Sequence, residues 1–341
     1  MIHRCWVCLL GLMAIGMSAQ AQEPKTLTLE AINSVSLDSL MERGAVDTGT
    51  AQEGAVKEIE QKSLPNPAIA RLQILLDRAG ASPAVIDGFD GENVSKAIRT
   101  FEALNALPVD GILDEEVIDL LETKDPVVTR YTISAEDVSE IVDPLPTDYA
   151  ELAKLKFLGF TSVAEALSEK FHMDLDFLKA LNPQASFSKG EQIVVAIPGK
   201  PIEGTVARME ADKKLGQLRA YDAQDKLLVA YPATVGSDDN PSPKGKHKVA
   251  AIAPNPNYTY NPDVNFQQGQ NTKALILAPG PNNPVGTMWI DLTEPTYGIH
   301  GTPEPSEIDK TASHGCIRLT NWDAEELAGM VKKGVTVTFV Q

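Results

Sequence analysis

Cysteine is scarce in this chain. Three occur in 341 residues, and Cys5 and Cys8 both fall in the opening apolar segment, leaving only Cys316 beyond it. A disulfide within the chain after that segment is therefore excluded. Basic residues are in short supply as well: 30 Lys and Arg stand against 47 Asp and Glu, for a formal net charge of -17. An acidic excess of that size argues against a nucleic-acid partner, because phosphate binding needs clustered Lys and Arg. It leaves the fold unconstrained. Long apolar runs are missing too, and nothing after residue 21 is long enough to span a bilayer,. What remains, 43% hydrophobic and 23% charged residues, is an ordinary globular balance. The length suits two or three domains.

The start, MIHRCWVCLLGLMAIGMSAQAQE, has a basic Arg4, an apolar stretch from Cys5 to Met17 and small residues at Ala19-Gln20-Ala21. This predicts a signal peptide over residues 1–21 and an exported protein. Cys5 and Cys8 do not stand where a lipoprotein acylation site would. In an oxidising compartment a lone cysteine is a liability unless its chemistry is used. The bland alternative, a buried inert thiol, stands level with it on the count alone.

Residues 22–64 are polar and acidic, and read as a linker or flexible arm. Residues 65–125 carry three helical apolar faces, separated by the turn dipeptides Asp87-Gly88 and Asp110-Gly111,. Leu72-Gln73, these paired turns and the Ala97/Phe101 spacing resemble the three-helix peptidoglycan-binding domain family. Residues 131–198 read helix, helix, turn, strand, with helical faces at Val163/Ala166/Leu167 and Leu175/Leu178/Leu181 and a strand at Ile193–Ile197,. This small α+β unit resembles a LysM module, a family that binds N-acetylglucosamine-containing glycans, with an insertion running to about residue 158. His172 lies there and reads as a packed or solvated helix histidine.

From residue 203 to 341 the pattern turns mainly β, with strands joined by hairpins and one helix, roughly Asn321 to Val331, opened by the capping pattern Thr320-x-x-Asp323,. The proline-rich stretch 253–286 cannot be a central strand and reads as a lid or wall. The expected architecture is multidomain: an all-α three-helix unit, a LysM-like α+β unit, and a mainly β, sandwich-like domain over residues 203–341 with one or two helices.

Chemistry concentrates in YGIHGTPEPSEIDKTASHGCIRL, residues 297–319. Cys316 needs a base or positive neighbour to act as a nucleophile near neutral pH. If the segment is a strand, His314 and Cys316 share a face, and Arg318 shares it too. His300 ends a strand that a β-ladder can bring beside the cysteine. On spacing alone either histidine can be the base. Gly315 lets amide groups around Cys316 turn toward a developing oxyanion. Arg318 suits a substrate carboxylate, or else a surface ion pair. His300, His314 and Cys316 also form a conceivable zinc set, but the spacing is uncommon for one and no metal is expected. Tyr258, Tyr260 and Trp289 are candidates to line a groove.

IHGT followed by SHGCIRL resembles the signature of the L,D-transpeptidase catalytic domain. That resemblance implies Cys316 as nucleophile and His300 as base, oriented by the backbone carbonyl of Gly301. It implies an oxyanion hole from the amides of His314, Gly315 and Cys316, and substrate contacts from Ser313 and Arg318. It further implies no cofactor, and peptidoglycan stem peptides and glycan strands as partners. The implied reaction forms 3→3 cross-links through a thioester with loss of D-alanine. Hydrolysis by the same cysteine, as an L,D-carboxypeptidase or cross-link hydrolase, is the alternative; a non-catalytic wall-binding protein is the second. Oligomeric state is not legible here.

Overall fold

The computed structural model describes residues 27–44, 64–236, 241–264, 266–311 and 315–340; the expected signal peptide, with Ser313 and His314, lies outside the described residues. Helices α1 (Leu29–Ser34) and α2 (Asp38–Gly44) come first. Over residues 27–44 the expected flexible arm is corrected. Ile32 and Leu37 are fully buried in the core of the helices that follow. Asn33 Oδ1 accepts from the amides of Val127 and Val128 at 2.8 and 3.1 Å. Two apolar anchors suffice to dock a polar segment, and an average over its composition hides them.

Helices α3 (Pro67–Arg78), α4 (Glu92–Leu104) and α5 (Glu115–Leu121) follow. Asn66 and Asp114 cap α3 and α5, each side chain accepting an amide proton of the first turn,. Each Asp-Gly turn is closed by a buried helix side chain. Gln73 Oε1 accepts from the amides of Asp87 and Gly88 at 3.1 and 2.8 Å. Glu102 Oε2 accepts from those of Asp110 and Gly111, both at 2.9 Å.

Next come β1 (Val128–Thr132), α6 (Tyr149–Leu152), α7 (Val163–Lys170), α8 (Leu175–Leu181) and β2 (Gln192–Ala196). Strands β1 and β2 pair antiparallel, with Tyr131 opposite Ile193. This unit and the three helices do not keep separate interiors. Leu72, Ile74, Ile86, Phe177 and Val195 belong to one buried cluster that also takes in Ile32 and Leu37. A unit of about 60 residues buries too little surface to be comfortable alone, and pooling the apolar faces relieves that. Backbone bonds cross the junction: Ile86 N–H donates to His172 O, and Asp174 N–H to Ile86 O, both at 2.9 Å.

The rest is mainly β. In chain order it holds β3 (Arg208–Asp212), β4 (Gln217–Tyr221), β5 (Leu227–Pro232), β6 (Thr234–Val235), β7 (Gly245–Pro254), β8 (Tyr258–Tyr260) and β9 (Leu275–Leu277). Then come β10 (Met288–Leu292), β11 (Gly298–His300), β12 (Ile317–Arg318), α9 (Asn321–Met330) and β13 (Thr336–Val340). Nine strands form one sheet in the order β5-β4-β3-β13-β7-β10-β11-β12-β6. Its two halves are joined through β7, which pairs with β13 over Gly245 to Lys248 and with β10 over Val249 to Pro254. Met209 and Leu218 of one half share a core with Ile290 and Ile317 of the other and with Leu327 of α9. The edge strand β5 is covered by α4 and by a bridge from Ala81 to Ala230, which blunts an otherwise open ladder. Thr320 caps α9 by accepting from Asp323 N–H.

The stretch 253–286 is more ordered than a plain loop. Its first two residues finish β7, and β8 and β9 pair as a separate ribbon, Tyr258 opposite Leu277. The expected insertion before residue 158 packs on this ribbon. Leu152, Leu158, Tyr260 and Leu277 make a small third core. His172 is packed rather than solvated, and lies outside α7 with φ +56°. Its ring stacks on Trp322 of α9 at 5.0 Å, and its Nδ1 lies 3.0 Å from Asp77 Oδ1 of α3. Among the described residues, no helix is long and apolar enough to cross a membrane.

Candidate active site

Strands β11 and β12 are parallel neighbours, with Ile299 opposite Ile317 and His300 opposite Arg318. Cys316 therefore sits in the bend just before β12, not in a strand. The same-face reasoning for Cys316 and Arg318 does not apply, because β12 begins only at Ile317. The thiol, His300 and Arg318 nevertheless line one cleft of about 510 Å3, together with Tyr258, Trp289 and Tyr297.

His300 is buried, and its Nδ1 lies 2.7 Å from the carbonyl oxygen of Gly301. A carbonyl only accepts, so Nδ1 carries the proton and donates it, leaving the Nε2 lone pair bare. The ring stacks on Trp289, its register partner on β10, at 5.6 Å and 20°. Burial lowers the imidazole pKa to about 4; the Gly301 bond works against this, and the Arg318 charge adds to it.

The Cys316 thiol points to the carbonyl oxygen of Thr296 at 3.7 Å. Burial pushes its pKa up to about 11, opposed by a backbone hydrogen bond from Gly298. Both catalytic candidates are thus neutral near pH 7. Thr296 has φ +74°, a left-handed conformation that costs a β-branched residue about 1–3 kcal/mol. That strain sits in the turn whose carbonyl meets the sulfur.

Glycine is required at two points. Gly315 has φ +96°, and a side chain there would meet the Tyr297 ring at 2.6 Å. Gly301 is pressed against Asn321 Oδ1 and has no room for a Cβ. Asn321 in turn accepts from Thr287 N–H at 3.1 Å and donates through Nδ2 to Glu169 of α7 at 3.0 Å. One amide side chain thus ties the turn after His300 to the N-terminal half.

The spacer between His300 and Cys316 is held from outside. Asp309 is paired with Lys96 of α4, Asn93 Nδ2 donates to Ile308 O at 3.3 Å, and Ser306 Oγ donates to Asp174 Oδ2 at 2.5 Å. Arg318 holds it from within, Nη2 donating to Thr311 Oγ1 at 2.5 Å. Its buried Nε has no hydrogen-bond partner among the described residues.

Of the residues singled out from sequence, Cys316, His300, Gly301, Gly315 and Arg318 meet here. Tyr258 and Trp289 line the cleft, whereas Tyr260 is fully buried in the small third core. Sequence reasoning missed Tyr149, Leu152 and Phe266 on the cleft wall and Thr296 and Gly298 beside the sulfur. Only Gly298 carried a local signal, as a glycine within the strand that leads to His300. Among the described residues no three His, Cys, Asp or Glu side chains converge as metal ligands; His314, one of the set considered, lies outside them.

Comparison with known proteins follows the same division. Residues 207–340 match the family described as L,D-transpeptidase catalytic domain, and residues 65–121 match a peptidoglycan binding domain. A Bacillus licheniformis protein named for L,D-transpeptidase YkuD is 32% identical over 178 residues, 51% of this chain and 91% of that protein. The Escherichia coli protein named for L,D-transpeptidase YbiS is 26% identical over 218 residues, 59% of this chain and 69% of that protein. A solved L,D-transpeptidase from Mycobacterium smegmatis aligns with TM-score 0.33 at 18% identity, over 45% of this chain and 64% of that one.

Proposed function

Because the chain belongs to the L,D-transpeptidase family, we propose that it forms 3→3 cross-links between peptidoglycan stem peptides through a thioester on Cys316, releasing D-alanine. As the sulfur attacks the carbonyl of the donor's diamino acid, His300 Nε2 takes the thiol proton. Amide groups at Gly315 and Cys316, with that of His314, hold the oxyanion. The intermediate collapses with loss of D-alanine, whose amine receives the proton from His300. An acceptor amine then attacks the thioester, His300 takes its proton, and the sulfur leaves as the thiol. Trp289 and the Gly301 carbonyl keep the imidazole in the required tautomer and plane. Arg318 lends positive charge to the cleft and suits a donor carboxylate. The N-terminal half would approach the glycan through its peptidoglycan-binding and LysM-like parts, on an exported protein.

The observation that carries this reading is the His300–Gly301 bond, which leaves Nε2 as an acceptor in the cleft that holds the one cysteine of the family-matched region. The test is incubation of the protein with disaccharide tetrapeptide, followed by mass. A cross-linked dimer with loss of D-alanine is expected, and the Cys316→Ala form should give none. Tripeptide without dimer would point to water as the acceptor. Unchanged substrate would sink the enzymatic reading.

A further inference from the structure

Resting on the reading of this cleft as a peptide site, we propose that Tyr149, outside the catalytic domain, is a substrate-contacting residue that sets the cleft's affinity for the acyl donor. Tyr149 and Leu152 line the same cleft as Cys316 and His300. Both lie well before residue 207, where the match to the catalytic family begins. The cleft is therefore composite: the β domain supplies the reacting groups and the N-terminal half supplies one wall.

That wall is built in. Tyr149 N–H donates to Gln268 Oε1 at 3.1 Å, and Gln268 Nε2 donates to Thr147 O at 2.9 Å. Leu158 N–H donates to Pro279 O, and Asn282 N–H to Leu158 O, both at 2.9 Å. Gly280, at φ +140°, leaves no space for a side chain beneath the Leu158 backbone. The Tyr149 ring stands edge-on to Tyr258, Tyr260 and Phe266 at 6.2, 5.3 and 6.1 Å. A rigid, half-buried aromatic in such a cluster presents apolar surface at little entropic cost. Its chemistry suits the uncharged, methyl-bearing part of a donor peptide, while Arg318, on another wall, suits the donor's carboxylate.

The experiment compares binding and turnover of disaccharide tetrapeptide. In the Cys316→Ala background, Tyr149→Ala should weaken binding by roughly tenfold, which is about 1.4 kcal/mol. In the active protein the same change should raise KM by a similar factor with kcat little altered. Alkylation of Cys316 by iodoacetamide, which needs no donor site, should keep its rate. Tyr149→Phe should behave as the parent. If Tyr149→Ala melts early, Tyr149→Trp serves instead: it keeps a ring in the cluster, crowds the cleft, and should also weaken binding. Unchanged affinity, or parallel loss of alkylation and turnover, would overturn the proposal. Binding by the Cys316→Ala form that depends on Tyr149, alongside no turnover by the active protein, would support the wall and fail the reaction.

Discussion

His300 and Cys316 line one cleft as neutral groups, which decides how the site responds to pH. An imidazole held at about 4 and a thiol at about 11 do not form a standing ion pair at neutrality. The thiolate must form as it attacks. Iodoacetamide alkylation should therefore climb through the alkaline range toward pH 11, and a plateau already reached at pH 7 would contradict this. On the acid side, the His300 base is lost only as pH approaches 4. Burial is the main cause, and the Arg318 charge adds to it. Arg318→Gln should move the acid limb of the acylation profile to higher pH, read with a carbapenem as acylating agent and intact mass as the signal. At this scale the sequence was informative: His300, Gly301, Gly315 and Cys316 stand in a short motif. Thr296 did not announce itself, because a left-handed threonine is imposed by tertiary contacts and leaves no trace in residue choice.

Among the elements, strands β3 to β5 and helix α9 were legible because alternation and capping are local signals. The ladder between β11 and β12 was foreseeable, but its register, His300 opposite Arg318, was not. That register depends on where the sixteen residues 301–316 between the two strands close, and that is settled by partners far away in sequence. Lys96 on α4 is the clearest of them. Removing it leaves the half-buried Asp309 without its cation, a loss of about 1–3 kcal/mol for a pair between the exposed and fully buried cases,. Lys96→Met should lower the melting temperature and slow acylation of Cys316. Lys96→Met with Asp309→Asn should recover much of both. Slow acylation persisting in the double form at restored stability would show that the charge itself matters, not the clamp. The insertion running to about residue 158 was equally opaque: its apolar residues Leu152 and Leu158 pack against a ribbon about a hundred residues away.

For the whole molecule, the contact between the N-terminal half and the β domain holds two buried carboxyls. Burial raises the pKa of Glu169 and of Asp323 to about 8. Glu169 is bonded to Asn321, and Asp323 accepts from Ser82 Oγ at 3.0 Å. Unfolding restores ordinary values of 4.5 and 3.8. Between about pH 4 and 8 the folded protein thus binds more protons than the unfolded chain, so stability falls as pH rises through that window and levels off above it. Glu169→Gln should flatten the dependence of melting temperature on pH between 5 and 8. An unaltered slope would mean that Glu169 is already ionised in the folded protein. Composition suggested separate domains here, because buried acids and shared cores are properties of an assembled interior.

Strand β13 lies between β3 and β7, at the middle of the sheet, yet it follows Cys316 in the chain. In a chain made or translocated from its amino end, the thiol emerges before the strand that closes the sheet around it. For that interval the halves of the domain have no ladder between them, and long-range pairings of this kind form slowly. The cysteine is most open to stray oxidants then, before it has any work to do.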